Sequence, residues 1–176
     1  AFPAGASPRS IMEQIIAGRA VVHRLTIPEG LTTGQILRLI GNAEALAGSV
    51  THEPAEGELM PDTYHYVYGE TRDALVARMQ KVMRETVEAL WVHRKPETVL
   101  QSPQQALILA SIVEGETGVA DERAMVAGVF YNRLRRNMKL QSDVTVAYGV
   151  AKREGRPGNV LNRPLSREDL ATPDPY

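Results

Sequence analysis

Apolar positions in the first fifty residues recur in two copies of one pattern, offset by roughly 25 residues. Pro3 aligns with Pro28, Gly5 with Gly30, Ser7 with Thr32, Ile11 with Ile36, Met12 with Leu37 and Ile15 with Ile40. Each copy predicts a turn followed by a helix. The Pro-x-Gly supplies one fixed and one permissive backbone angle, and Ser7 or Thr32 can accept a bond from an orphan helix N–H. The Ile, Met and Leu positions then repeat at helical spacing. Gln35, three residues after Thr32, completes a capping box. Between the copies, Val21 to Ile27 alternates apolar residues with His23 and Arg24 and predicts a strand. Residues 1–50 therefore read as a small β-α-β-α module, whose repetition serves either its own packing or the binding of a glycan.

From Glu53 to Gly69 the chain turns to Pro, Gly, acids and tyrosine, which sets a boundary near Thr51 and a second unit over residues 51–176. Tyr64, Tyr66 and Tyr68 alternate at period two, so a strand carries all three rings on one face, with His65 and Val67 on the other. A packed sheet face is one reading of that row; a platform for sugar rings is the other. Thr71 to Arg94 predicts one long helix capped by Thr71, with Leu75, Met79, Val82, Met83 and Leu90 in its apolar stripe and Pro96 beyond its end. Ser102-Pro103 is an N-cap with a first-turn proline and opens a helix that runs through Ala106 to Gly118. Asp121 is expected to cap the next helix, striped by Met125, Val126, Val129, Phe130 and Leu134 and ending in Arg133, Arg135 and Arg136. Asp143 is expected to cap a short helix ending at Gly149. The elements sum to an α+β fold, mainly helical in its second unit, with a short hairpin or sheet.

Composition narrows the functions this fold can carry. The 176 residues hold 20 Lys+Arg against 21 Asp+Glu, a net charge of −1, which advertises no clustered positive surface for nucleic acid. With 43% hydrophobic and 23% charged residues, the chain has the makeup of a folded globular protein. The absence of cysteine excludes disulfides, thiolate zinc sites and cysteine nucleophiles. Apolar runs such as Ala106 to Val113 are far shorter than the roughly 20 residues that span a bilayer. The chain opens on Ala1 without a signal-peptide pattern, so a piece of a longer protein, with any membrane anchor outside it, is expected.

Candidate chemistry concentrates between residues 110 and 150. On the helix through Ala106 to Gly118, Leu107, Ala110 or Ser111, and Glu114 share a face, so an acid stands where the apolar stripe would continue. Partial desolvation there favours the protonated acid that general acid catalysis requires, although a capped or solvated acid at a helix end has the same spacing. Glu116 lies two positions on, about 200° around the helix, so the two glutamates are not a same-face pair. Asn132 sits at the margin of the next stripe, where it either ties down a loop or faces a polar cleft. Gln141 lies just outside the expected Asp143 cap and could donate to a sugar.

Taken together, EGELMPDTYHY (Glu56 to Tyr66), ASIVEGETG (Ala110 to Gly118), ERAMVAGVFYNRL (Glu122 to Leu134) and LQSDVTVAYG (Leu140 to Gly149) resemble the YceG/MltG family of endolytic murein transglycosylases in order and spacing. FPAGAS (Phe2 to Ser7) and TIPEG (Thr26 to Gly30) resemble that family's LysM-like region, which marks 1–50 as a LysM-like module and 51–176 as the catalytic domain. The resemblance implies that Glu114 is the catalytic acid/base and that Gln141, Asp143, Asn132, Tyr148, Tyr64 and Glu116 line or brace the substrate cleft. It further implies cleavage of the β-1,4 MurNAc–GlcNAc bond within glycan strands to leave 1,6-anhydro ends, with no metal and no organic cofactor. Glycan strands are the implied partner, alongside penicillin-binding proteins and other glycan polymerases. The implied location is the periplasmic face of the bacterial inner membrane, with a single-pass anchor upstream. Met60 stands where that family usually shows an aromatic, Gly115 where a charged residue is usual and Val144 where a proline opens the helix. Family members continue past the ATPDPY end, so a segment closing the cleft is expected beyond Tyr176. A noncatalytic peptidoglycan-binding scaffold and a helical adaptor are the competing classes.

Overall fold

The computed structural model describes residues 4–18 and 20–173. Phe2 and Pro3 of the first expected turn, and residues 174–176 of the final stretch, lie outside the described residues. The element order is α1 (Pro8–Ile16), β1 (Val22–Thr26), α2 (Thr33–Asn42), β2 (Thr63–Val67), α3 (Arg72–Val92), α4 (Pro103–Glu116), a 3-10 turn (Ala120–Glu122), α5 (Arg123–Arg135), α6 (Asp143–Arg153), a second 3-10 turn (Pro157–Asn159) and α7 (Arg167–Ala171). It is a helix-rich α+β arrangement around one small antiparallel sheet. Among the described residues no helix is long and apolar enough to cross a membrane.

Local capping chemistry starts the helices where the sequence indicates. Ser7 accepts from the Ser10 amide, Thr71 from Ala74 and Ser102 from Gln105. Thr32 and Gln35 form the reciprocal capping box at the start of α2. Packing treats the two repeats unequally. Ile36 and Ile40 of the second copy are core residues, whereas Met12, Ile15 and Ile16 of α1 are exposed. The difference is one of partners, since β2 and α3 cover α2 and α1 has no buried residue.

The expected β-α-β-α module is corrected by the sheet. β1 pairs with β2, in the register Val22 to Val67, His23 to Tyr66, Leu25 to Tyr64 and Thr26 to Thr63. One hydrophobic core then joins Ile27, Ile36 and Ile40 to Tyr64, Tyr66, Leu75 and Met79. The boundary expected near Thr51 falls inside this core, so cutting there would strip β1 and α2 from the elements that bury them. The tyrosine row also resolves. Tyr64 and Tyr66 are buried, their hydroxyls donating to the Met60 and Glu44 carbonyls at 2.7 and 2.9 Å, and His23 stacks on Tyr66. Tyr68 lies past the strand and is exposed. Burial pushes the Tyr64 phenol above its ordinary range, aided by Asp62 and opposed by Arg78. Tyr64 is therefore a core residue, which corrects its assignment to the substrate cleft.

A second core packs α4 on α5 through Leu109, Ile112, Val113 and Phe130. The stripe expected on α3 stops short: Leu75, Val76 and Met79 are buried, while Leu90 is exposed. Asp121 caps nothing; it sits in the 3-10 turn, and Glu122 precedes α5 without a side-chain cap. Met125 and Val129 of the expected α5 stripe are exposed. Asp143 is the first residue of α6, with Ser142 at the N-cap position, and the helix passes through Gly149 to Arg153. An acid in that first turn suits the positive end of the helix dipole.

The end of the described chain is fastened by charge. Arg163 grips Asp169 through Nη1 and Nη2 at 2.6 and 3.1 Å and reaches Glu154 at 2.8 Å. Asp169 Oδ2 also accepts from the Ser166 amide and hydroxyl, both at 2.8 Å. The Arg163 guanidinium, then the Ser166 donors, hold the Asp169 carboxyl well below the usual carboxylate range. A depressed native pKa contributes stability that is full above the unfolded value of about 3.9 and is lost as pH falls below it. Thermal unfolding across that acid range should therefore show wild type losing stability more steeply than Asp169→Asn. Parallel acid limbs for the two proteins would refute this role for Asp169.

Candidate active site

Glu114 stands near the end of α4, and the structure gives that helix a different buried face from the one expected. Leu109, Ile112 and Val113 point into the second core, while Ala110 and Ser111 are exposed. Glu114 lies at the edge of that face, its side chain 29% exposed, so the carboxylate is partly shielded yet reachable. Its Oε1 accepts from Nη2 of Arg123 at 3.1 Å. Oε2 takes no hydrogen bond from any described residue. The geometry thus holds one carboxyl oxygen and leaves the other without a partner among the described residues.

Arg123 was not singled out by sequence reasoning. It is the first residue of α5, brought to Glu114 by the 3-10 turn at Ala120–Glu122. Thr117 braces that turn: its hydroxyl donates to Glu122 at 2.9 Å and accepts from the Val119 amide at 3.0 Å. Nε of Arg123 is buried without a hydrogen-bond partner among the described residues. The signal for this contact was the nine-residue spacing between an acid at a helix end and an arginine opening the next helix, a separation only the α4–α5 turn makes close. The other neighbour of Glu114 comes from far along the chain. A Cβ added at Gly30 would stand 4.0 Å from Glu114 Cγ, so the turn before α2 borders the carboxylate.

Of the other expected residues, the structure brings three together. The Ser142 hydroxyl donates to Glu116 Oε1, and Gln141 and Asp143 flank Ser142 where α4 meets α6. Gln141 has φ +53° and its side-chain oxygen accepts from Arg133 at 3.4 Å. Glu114 and Glu116 point to different partners, in keeping with their spacing. Tyr148 lies on α6 with Lys152 5.9 Å from its ring centre. Asn132 is exposed on α5 and makes no side-chain hydrogen bond among the described residues, so it ties down no loop. Two surface hollows near α4 and α5, of about 620 and 320 Å³, are lined respectively by residues including Tyr131 and Arg135, and Ile108 and Leu109. Neither is lined by Glu114, so the site rests on the chemistry of the carboxylate and not on cavity size.

Two positions where the chain departs from the resembled pattern touch each other here. A Cβ at Gly115 would come within 2.6 Å of Val144 Cγ1, so glycine lets α4 and α6 cross closely against a branched side chain. Gly115→Ala is expected to destabilise by about 1–3 kcal/mol through overpacking. Adding Val144→Ala should return most of that loss, a non-additivity expected of touching residues. Denaturant unfolding of the two single variants and the double variant checks it, and additive losses would show the contact to be unimportant.

The family model for the YceG-like family matches residues 1–176, and the chain belongs to that family. An endolytic murein transglycosylase of Streptococcus pneumoniae is 29% identical over 168 aligned residues, covering 75% of this chain and 30% of that protein. One of Bacillus subtilis is 36% identical over 124 residues, covering 70% of this chain and 32% of that protein. The chain thus spans about a third of the length of these relatives. The crystal structure of a YceG-like protein from Listeria monocytogenes superposes with a TM-score of 0.66 at 25% identity, covering 96% of this chain and 62% of that one.

Proposed function

We propose that this chain carries the acid/base centre of an endolytic murein transglycosylase, with Glu114 as the single catalytic carboxyl. The observation that carries the reading is the half-shielded Glu114, held through Oε1 by Arg123 with Oε2 open, in a chain whose relatives are named for that activity. Ordinary glycoside hydrolysis uses two carboxylates acting together, and here the nearby Glu116 is engaged with Ser142 instead.

A transglycosylase needs only one. The proton on Glu114 Oε2 passes to the glycosidic oxygen as the bond from muramyl C1 to that oxygen breaks, releasing the GlcNAc 4-hydroxyl. The muramyl 6-hydroxyl oxygen then bonds to C1 and gives its proton to the Glu114 carboxylate. The products are a 1,6-anhydro-muramyl end and a new GlcNAc end; the acid is regenerated and no water is consumed. Arg123 keeps the carboxyl oriented through both steps. Gln141, Asp143 and Tyr148 are the residues proposed to border the bound strand. The same reading carries with it termination of nascent strands beside penicillin-binding proteins and other polymerases, at the periplasmic face of the inner membrane, with the anchor outside this segment. Mass spectrometry of glycan strands incubated with the full-length protein tests it: anhydro-muramyl ends are expected, and hydrated reducing ends or uncut strands would overturn it.

A further inference from the structure

The turn at Pro157–Asn159 lies more than a hundred residues from α2 in sequence, yet it clasps the N-terminus of that helix. The Thr32 hydroxyl donates to the Gly158 carbonyl. Glu56 bridges the two segments, Oε2 accepting from the Thr33 amide at 2.8 Å and Oε1 from Asn159 Nδ2 at 3.2 Å. Contact at the centre is backbone to backbone: a Cβ on Gly34 would stand 2.7 Å from Gly158 Cα. Gly158 and Asn159 both have positive φ, +68° and +53°, a tight conformation that aims this turn at the helix. Two residues before Thr32 is Gly30, the residue that borders Glu114.

We infer that this clasp is a positioning device for the candidate catalytic centre. By fixing the first turn of α2, Gly34, Glu56 and Asn159 seat the Gly30 turn beside Glu114, so the segment from Ile27 to Leu31 forms a wall of the cleft. The inference rests on the proposed role of Glu114. Gly30 meets two demands there: its φ of +75° makes the turn, and its missing side chain lets that turn stand close against the Glu114 side chain. A glycan bound across this wall and Glu114 is held by elements more than eighty residues apart, and a small displacement of the wall misaligns the scissile bond.

Gly34→Ala drives a methyl group into the Gly158 backbone and is the direct test. Gly41→Ala, on the same helix with nothing within 4 Å of the added methyl, is its control. Asn159→Gly is the second variant, because it removes the bond to Glu56 and keeps the positive φ. Amide exchange at Thr33 and Leu31, measured in the full-length protein without glycan, should be faster in Gly34→Ala and Asn159→Gly and unchanged in Gly41→Ala. On glycan strands, kcat should fall about tenfold or more in Gly34→Ala and several-fold in Asn159→Gly, with KM changing little in both; Tm should fall in Gly34→Ala, whose methyl meets backbone, and stay near wild type in Asn159→Gly. Faster exchange with wild-type kcat would overturn the wall, and unchanged exchange in both variants would overturn the clasp. A wild type that forms no anhydro ends would refute the transglycosylase reading, while the exchange measurement would still decide whether the clasp holds the turn.

Discussion

Replacing Glu114 with Gln is expected to stop formation of anhydro-muramyl ends while leaving the fold intact. The amide oxygen can still accept from Arg123 Nη2, as Oε1 does at 3.1 Å, so the ion pair becomes a hydrogen bond of the same geometry. What disappears is the transferable proton on Oε2. Loss of a positioned general acid and base removes about 10²–10⁴-fold of rate, so kcat should fall by at least that range while KM stays near wild type. Glu116→Gln should keep activity within a few-fold, because the amide oxygen can still accept from Ser142. Initial rates of anhydro-product release by both variants check the pair. A Glu116→Gln protein slower than Glu114→Gln would move the acid to the other face of α4, and near wild-type turnover in Glu114→Gln would remove Glu114 from the chemistry.

What could be read in the chain and what could not divide along physical lines. The caps at Thr32, Thr71 and Ser102 were legible because each is a bond between residues a few positions apart. Glu114 was singled out as continuing a stripe with Leu107 and Ala110 or Ser111, whereas α4 buries Leu109, Ile112 and Val113; the family resemblance of the blocks around it agrees with the YceG-like match over residues 1–176. The surroundings of Glu114 were not legible. Arg123 and Gly30 reach it only through the α4–α5 turn and through the clasp on α2, and no periodicity records such crossings. The repeat in the first fifty residues misled in the same way. Similar local patterns gave similar capped helices, but burial depends on what lies opposite, and only α2 faces β2 and α3. Asp121 and Asp143 are acids near helix starts that occupy a 3-10 turn and a first turn, because the chain enters α5 from a preceding turn and α6 after Ser142.

Arg72→Met is expected to be the most destabilising single change outside the hydrophobic cores, although nothing in its sequence neighbourhood marks it. Arg72 opens α3, and its guanidinium donates to the carbonyls of Ile40 at 3.0 Å, Leu46 at 2.8 Å, Gly48 at 2.8 Å, Gly41 at 3.0 Å and Ala43 at 3.1 Å. Three of these acceptors belong to the last turn and C-cap of α2, where the Ile40 carbonyl also accepts from the Ala43 amide at 3.2 Å and the helix's negative end favours a cation. The other two hold the loop that runs back to α3, where Ala47 pairs with Thr71. Methionine keeps much of the stem's packing and removes every donor. Each bond to a charged group is worth about 1.5–3 kcal/mol, and some of these carbonyls can turn to water. The summed loss should therefore be about 3–5 kcal/mol and not five full bonds. That is a large part of the roughly 5–15 kcal/mol that holds a domain together. Arg72→Lys retains the charge but only three donors and should fall between, while Arg84→Met, on an exposed stretch of the same helix, should stay within about 0.5 kcal/mol of wild type. Denaturant unfolding of the three variants ranks them, and an Arg72→Met midpoint equal to that of Arg84→Met would show that the α2–α3 joint is held by its apolar contacts alone.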